Sequence, residues 1–335
     1  MLASRFDKAL SVARGVKAFL VFKNGFTRGA TPDAGQREKI MKRKLSRTQG
    51  ERRVAEKGER RRSKRVQREV VDQEVLDKQR DPPPERIETA HLRQRPDFVI
   101  IGTQRGGTTS LYRYLTEHPD VGPAFRKEVH FFDRYYEKGM DWYLAHFPVR
   151  GEAPVVGEAS PYYLFHPNVP KRVREAVPHA KFIVLLRNPV DRAYSNYQMK
   201  VRRGIETLSF EDAIDKERER LSSSDNPVSL PWRHYSYLKR GLYVEQLQRW
   251  MSVFPREQFL IIKSEDLYKD PGQVLQQTLA YLELQSWSLA SYKAYHLSEY
   301  INIDPGTRKR LVEYFAPYNQ QLYAFLDRDF GWEHE

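Results

Sequence analysis

Four large apolar residues, Phe98-Val99-Ile100-Ile101, run into Gly102. A glycine-rich loop, Gly102-Thr103-Gln104-Arg105-Gly106-Gly107, then leads at once into Thr108-Thr109-Ser110-Leu111-Tyr112-Arg113-Tyr114-Leu115. A short continuous apolar run rich in β-branched residues predicts a strand buried on both faces, which belongs in a parallel sheet. The hydroxyl residues after the loop predict the N-terminus of a helix. Strand, glycine loop and helix in this order make a phosphate cradle. Glycines let the backbone approach an anion, and the first N–H groups of the helix, with their dipole, stabilise it.

The spacing Gly102-x4-Gly107 matches the nucleoside-triphosphate loop, but the position of that loop's lysine holds Thr108. The cation lies inside the loop instead, at Arg105. The expected ligand is therefore an anion other than ATP–Mg²⁺ held in the usual way. A second apolar run, residues 182–186, delivers Arg187 at its C-terminal end. Pro189 suits a first helical turn, which places Arg192 and Ser195 one turn apart. Ligands of open α/β sheets bind beyond the carboxyl ends of strands, so Arg187 and Ser195 are placed to hold a second anion. The competing reading makes Arg187 a structural ion pair and Arg192 a surface charge. Between the two segments lies Arg126-Lys127-Glu128-Val129-His130-Phe131-Phe132-Asp133-Arg134. Glu128 beside His130 in an aromatic setting can abstract a proton, although Glu and His two apart are also common on ordinary surfaces. Further strands are predicted at 155–158 and 259–262, with helices over 243–254, 273–284 and 307–326. Residues 206–230, polar and Ser-rich, read as a flap. Alternating strands and helices give an α/β sheet that is mostly parallel.

Charge and aromatics divide the chain in two. Residues 1–95 carry 26 Lys and Arg against 13 Asp and Glu, whereas residues 96–335 carry 31 of each. Of 42 aromatic residues, 38 lie beyond residue 95. The expected organisation is a basic arm and linker over 1–95, helical or disordered, and a folded domain over 96–335. Residues 36–80 hold no aromatic residue, and Pro82-Pro83-Pro84 stops any helix from running on. Within residues 1–26, apolar and basic residues alternate, but the longest apolar run, 18–22, is too short for a bilayer span or a signal-peptide core. A basic amphipathic helix lying on an anionic membrane is one reading of this segment; a helix docked on the domain is the other. Lacking Tyr, Trp and any zinc-finger or RNP signature, the arm predicts no specific nucleic-acid partner. Zero cysteines exclude disulfides, thiolate metal sites and a cysteine nucleophile, and favour a cytoplasmic location; the membrane-lying reading of residues 1–26 would add peripheral contact with the inner face of the membrane.

Together the three motifs resemble the sulfotransferases that use 3′-phosphoadenosine-5′-phosphosulfate (PAPS), in particular the carbohydrate branch of the heparan-sulfate glucosaminyl type. The stretch Glu128 to Arg134 has close counterparts there. So do Trp142-Tyr143, Pro161-Tyr162, Arg187-Asn188-Pro189-Val190, Gly241-Leu242-Tyr243 and Asp329-Phe330-Gly331-Trp332. The likeness covers roughly residues 96–335. It implies an α/β, P-loop-like three-layer fold with a central, mostly parallel sheet flanked by helices. It also implies sulfuryl transfer from PAPS, with no metal, to a hydroxyl or amine of a carbohydrate or similar small molecule. Glu128 would be the general base, and His130, with Asp133 behind it, would position the acceptor or share the proton. Arg105 stands where the family carries Lys and would stabilise the departing phosphate. Gly106, Gly107, Thr108, Thr109 and Ser110 would bind the 5′-phosphosulfate, and Arg187 and Ser195 the 3′-phosphate. The sequence departs from the pattern in Glu158-Ala159-Ser160-Pro161, a motif in which heparan-type members carry a Lys, and in the short cysteine-free segment 298–308. The alternative class is a P-loop nucleotide-binding or kinase-like protein, or a catalytically degenerate fold that binds through its arm.

Overall fold

In a computed structural model, the strands are β1 Phe98–Gly102, β2 Val121–Pro123, β3 Val155–Ala159, β4 Lys181–Leu186 and β5 Phe259–Lys263. Residues 81–222, 226, 229–293, 295 and 303–334 are described. The expected basic arm up to residue 80 and its membrane-facing helix lie outside them, as do residues 296–302.

The strands form one sheet in the order β2-β3-β1-β4-β5, and every pairing is parallel. β2, not expected from a sequence that reads Val-Gly-Pro, occupies one edge. Alternation along the strands decides the layers. Val99, Ile101, Phe182, Val184 and Leu186 pack on one face with Tyr143, Val173, Leu247 and Trp250. Phe98, Ile100, Ile183 and Leu185 pack on the other with Leu111, Leu115, Leu275 and Leu279. These strand residues are fully buried, each contributing about 1.5–3 kcal/mol of hydrophobic stabilisation. The result is the expected three-layer α/β arrangement, with apolar helices on both faces.

The helices begin where side chains can cap them. Asn188 accepts from the Val190 amide at the head of Pro189–Arg202, Asp270 from Gln273 at Pro271–Tyr281, and Asp304 from Thr307 at Pro305–Leu326. The apolar stripe of Tyr243–Met251 packs its Tyr243, Leu247 and Trp250 into the core. Much of the stretch read as a polar flap is instead helical, as Phe210–Asp215 and Glu217–Ser222. The reason is a buried carboxylate. Glu206 pairs with Arg220 at 2.6 Å and accepts from the Tyr237 hydroxyl at 2.8 Å, tying the segment down.

Ordered contacts begin before residue 96. Arg86 Nε donates to the Ala145 carbonyl at 2.7 Å, and Arg93 Nη1 to that of Phe147 at 2.8 Å. At the far edge of the sheet, Arg328 Nη1 donates to the Ile261 carbonyl of β5 at 3.1 Å, and Lys263 Nζ to that of Phe330 at 2.7 Å. Among the described residues no helix is long and apolar enough to cross a membrane.

Candidate active site

β1 is central, with β3 on one side and β4 on the other. The loop that follows it opens at the carboxyl ends of the strands, where open α/β sheets bind ligands. The loop is fixed from beneath. The Thr103 amide donates to the Leu185 carbonyl of β4 at 2.8 Å, and the Ser264 hydroxyl donates to the Gly106 carbonyl at 2.8 Å. A Cβ at Gly106 would come within 2.9 Å of the Leu185 carbonyl oxygen, so only glycine fits there. Gly107 caps the helix Thr108–Leu115 with φ 90°, in the left-handed region. Thr108 and Ser110 are buried at its first turn.

Arg105 also takes a positive φ, 76°, which is uncommon for a side-chain-bearing residue and is held here by its contacts. Its Nε donates to the Ser195 hydroxyl at 2.9 Å, and its carbonyl accepts from Arg187 Nη1 at 3.2 Å. The two anion motifs, 82 to 90 residues apart in sequence, therefore meet in space. Arg105, Arg187 and Ser195 form one polar face at the carboxyl ends of β1 and β4. Arg192 points elsewhere; it is fully buried and donates to the Tyr237 carbonyl.

The segment from Glu128 to Asp133 is joined to the helix after the loop through Lys127. His130 Nε2 is 2.9 Å from a Glu128 carboxylate oxygen, and His130 Nδ1 is 3.0 Å from Asp133. Burial alone would lower the His130 pKa, but the two carboxylates outweigh it and raise the pKa, favouring the imidazolium. His130 has φ 58°. The strain is held by Ser160, whose hydroxyl accepts from the His130 amide at 3.2 Å and donates to Glu158 at 2.7 Å.

Glu158, fully buried on β3, also accepts from the hydroxyls of Tyr143 at 2.9 Å and Tyr163 at 3.2 Å. Burial pushes its carboxyl up to about 7 against the pull of these three donors. Tyr163 in turn accepts from the Phe132 amide at 3.4 Å. One carboxylate thus anchors both amides that bracket the strained turn.

Sequence reasoning passed over Lys127. Its Nζ donates to the Thr109 hydroxyl at 3.1 Å and approaches Glu128 at 3.5 Å, linking the Glu128–Asp133 segment to the helix Thr108–Leu115. Burial lowers its pKa, with Glu128 opposing. The available signal was its adjacency to Glu128. Also missed was Gln104, whose side chain accepts from the buried Arg240.

A parallel five-stranded sheet flanked by helices, whose central strand ends in a cation-bearing glycine loop, defines a P-loop-like α/β protein. The chain belongs to the sulfotransferase domain family, which matches residues 95–317, and it is an enzyme of sulfuryl transfer. It is 36% identical to a sulfotransferase of Alicyclobacillus acidocaldarius of known crystal structure, with a TM-score of 0.63 over 72% of this chain and all of that one. The membrane-associated sulfotransferase kil1 of Dictyostelium discoideum is 27% identical over 71% of this chain and 66% of its own length. Human heparan sulfate glucosamine 3-O-sulfotransferase 6 is 29% identical over 72% of this chain and 74% of its own. Among the described residues no cluster of side chains is arranged to hold a metal ion.

Proposed function

We propose that this enzyme transfers the sulfuryl group of PAPS to a hydroxyl or amine of a carbohydrate or similar small acceptor. The observation that carries the reading is the Arg105–Ser195 contact at 2.9 Å, which brings both anion motifs onto one face. PAPS has two anionic ends, a 5′-phosphosulfate and a 3′-phosphate, and the face offers a cradle for each. The residues fit the donor's chemistry. Gly106 and Gly107 leave backbone room, Thr108, Thr109 and Ser110 bring amides and hydroxyls, and Arg187 and Ser195 meet the 3′-phosphate. When bound, PAPS supplies an electrophilic sulfur and a phosphate leaving group.

Glu128 accepts the proton of the attacking hydroxyl or amine. The His130 imidazolium, kept charged by Asp133, holds the Glu128 carboxylate in place and anionic until then. Arg105 neutralises charge that builds on the leaving phosphate, a role typically worth about 10²–10³ in rate. A saccharide acceptor is supported by the likeness to the heparan sulfate enzyme. Residues 1–26 are proposed to meet an anionic membrane surface.

Calorimetric titration of 3′-phosphoadenosine 5′-phosphate (PAP) against ADP and adenosine 5′-phosphosulfate tests the donor. The expected result is tight binding that requires the 3′-phosphate and is lost in Arg187→Ala. Indifference to the 3′-phosphate would refute the assignment and favour a nucleotide-binding module.

A further inference from the structure

We propose that Lys127 binds the sulfuryl group of the donor, its ammonium holding a non-bridging sulfuryl oxygen next to the general base Glu128. This rests on the PAPS reading above and deepens it, adding a second cation to the reaction: Arg105 serves the leaving phosphate and Lys127 the sulfur end. Two elements place the ammonium. Thr109 is the second residue of the helix Thr108–Leu115, directly after the glycine loop, where the N–H groups of the first turn have no partner within the helix. Lys127 immediately precedes Glu128. Its Nζ reaches the Thr109 hydroxyl at 3.1 Å and Glu128 Oε1 at 3.5 Å, so it touches both the cradle and the base. The Lys127 and Glu128 side chains are 14% and 29% exposed, sheltered yet open to a ligand. An ammonium carries three N–H donors. Thr109 and Glu128 take two, which leaves one for an incoming oxygen.

The chemistry asks for a cation at this point. The base is a carboxylate, and the sulfuryl group it works beside is itself anionic. Two like charges a few ångströms apart in a partly dry site repel strongly, and a positive group in contact with both removes the penalty. His130 faces the other carboxylate oxygen, Glu128 Oε2, at 2.9 Å, and its second ring nitrogen is taken by Asp133. The β3 segment that braces the turn, Glu158-Ala159-Ser160, brings no cation of its own. Lys127 faces Oε1, on the side that leads to Thr109 and the loop.

The electrostatics of the lysine agree with this geometry. Burial, helped by Arg113 of the loop helix, lowers the Lys127 pKa, and Glu128 and Glu158 oppose the shift. A further anion against Nζ favours the charged form, so donor binding and the positive charge reinforce each other. A purely structural bridge between Thr109 and Glu128 would need only hydrogen bonds and would be blind to what the donor carries. A sulfuryl holder needs the charge, and it responds only to ligands that bear the sulfuryl group.

The test is calorimetric titration of the full chain with PAPS and with PAP, without acceptor, at physiological salt. The two ligands differ by the sulfuryl group. Lys127→Gln keeps a hydrogen-bonding side chain and loses the charge. In it, PAPS affinity is expected to fall about tenfold more than PAP affinity, the loss of one charge-assisted hydrogen bond. Lys127→Arg should keep the wild-type ratio. Equal losses for both ligands would assign Lys127 to the phosphate cradle or to the fold and overturn the proposal; no loss for either would overturn it as well. Should Lys127→Gln not fold, the wild type decides: saturating PAPS should slow reductive methylation of Lys127, read by peptide mass spectrometry, more than saturating PAP does, and equal protection overturns the proposal. Wild-type binding that ignores the 3′-phosphate would sink the donor assignment instead, and the same ratio for adenosine 5′-phosphosulfate against AMP then decides the role of Lys127. Absence of binding by all four nucleotides would overturn both.

Discussion

The two flanks of the loop at 102–107 are built on opposite principles. On the donor flank, the loop is clamped by bonds from Thr103 and Ser264, and Arg105 is held between Ser195 and Arg187. On the other flank, Gln104 accepts from the buried Arg240, whose charge Glu217 offsets through space without a direct ion pair. A preorganised donor face costs nothing in reorganisation at the moment of reaction. Between them runs the Glu128–His130–Asp133 chain, braced by Glu158.

The largest effect should come from that chain and the loop cation. Glu128→Gln is expected to lower kcat by about 10²–10⁴, and Arg105→Ala by about 10²–10³, each with an unchanged circular dichroism spectrum. Full turnover in both would break the division of labour between the flanks.

The brace gives the next effect. Because burial raises Glu158 to about 7 from an ordinary 4.5, the folded state binds its proton more tightly than the unfolded state does. Its contribution is full below about pH 4.5 and is lost as pH rises through 7, a change of roughly 3 kcal/mol. Thermal melts from pH 4.5 to 8 should therefore fall more steeply for the wild type than for Glu158→Gln. Parallel slopes would mean that this carboxyl does not set the pH response of the turn.

The smallest effect belongs to the donor clamp. Ser264→Ala removes one hydrogen bond to the Gly106 carbonyl and should cost about 1 kcal/mol, read as a lower Tm that PAP partly restores. A Tm unchanged by the substitution would show that the loop holds its shape without that bond.

The donor flank was legible in the sequence because its determinants are local. An apolar run, glycines at fixed spacing and hydroxyls at a helix start all lie within residues 98–115, and the structure places β1 and the helix where that pattern puts them. The contact of Arg105 with Ser195 could be inferred only through the family likeness, since nothing local links residues 90 apart. The flank around Gln104 and Arg240 was not legible. Lys200 follows Met199 near the end of its helix, and only packing reveals that it is buried against His234. β2 escaped for a different reason: three residues ending in Gly-Pro carry turn chemistry, and their pairing with β3 is imposed by the rest of the sheet.

The way the sheet ends bears on how copies of this chain behave toward each other. An open parallel sheet has two rims of unpaired backbone, each a template on which another chain could add a strand. One rim here is β2, three residues closing on Pro123, which has no amide proton to offer. At the other, the Arg328 guanidinium already occupies the Ile261 carbonyl of β5. Shortness with a proline guards one border and a charged side chain guards the other. The C-terminal residues thus shield a border of the sheet against intermolecular strand addition, a duty separate from catalysis.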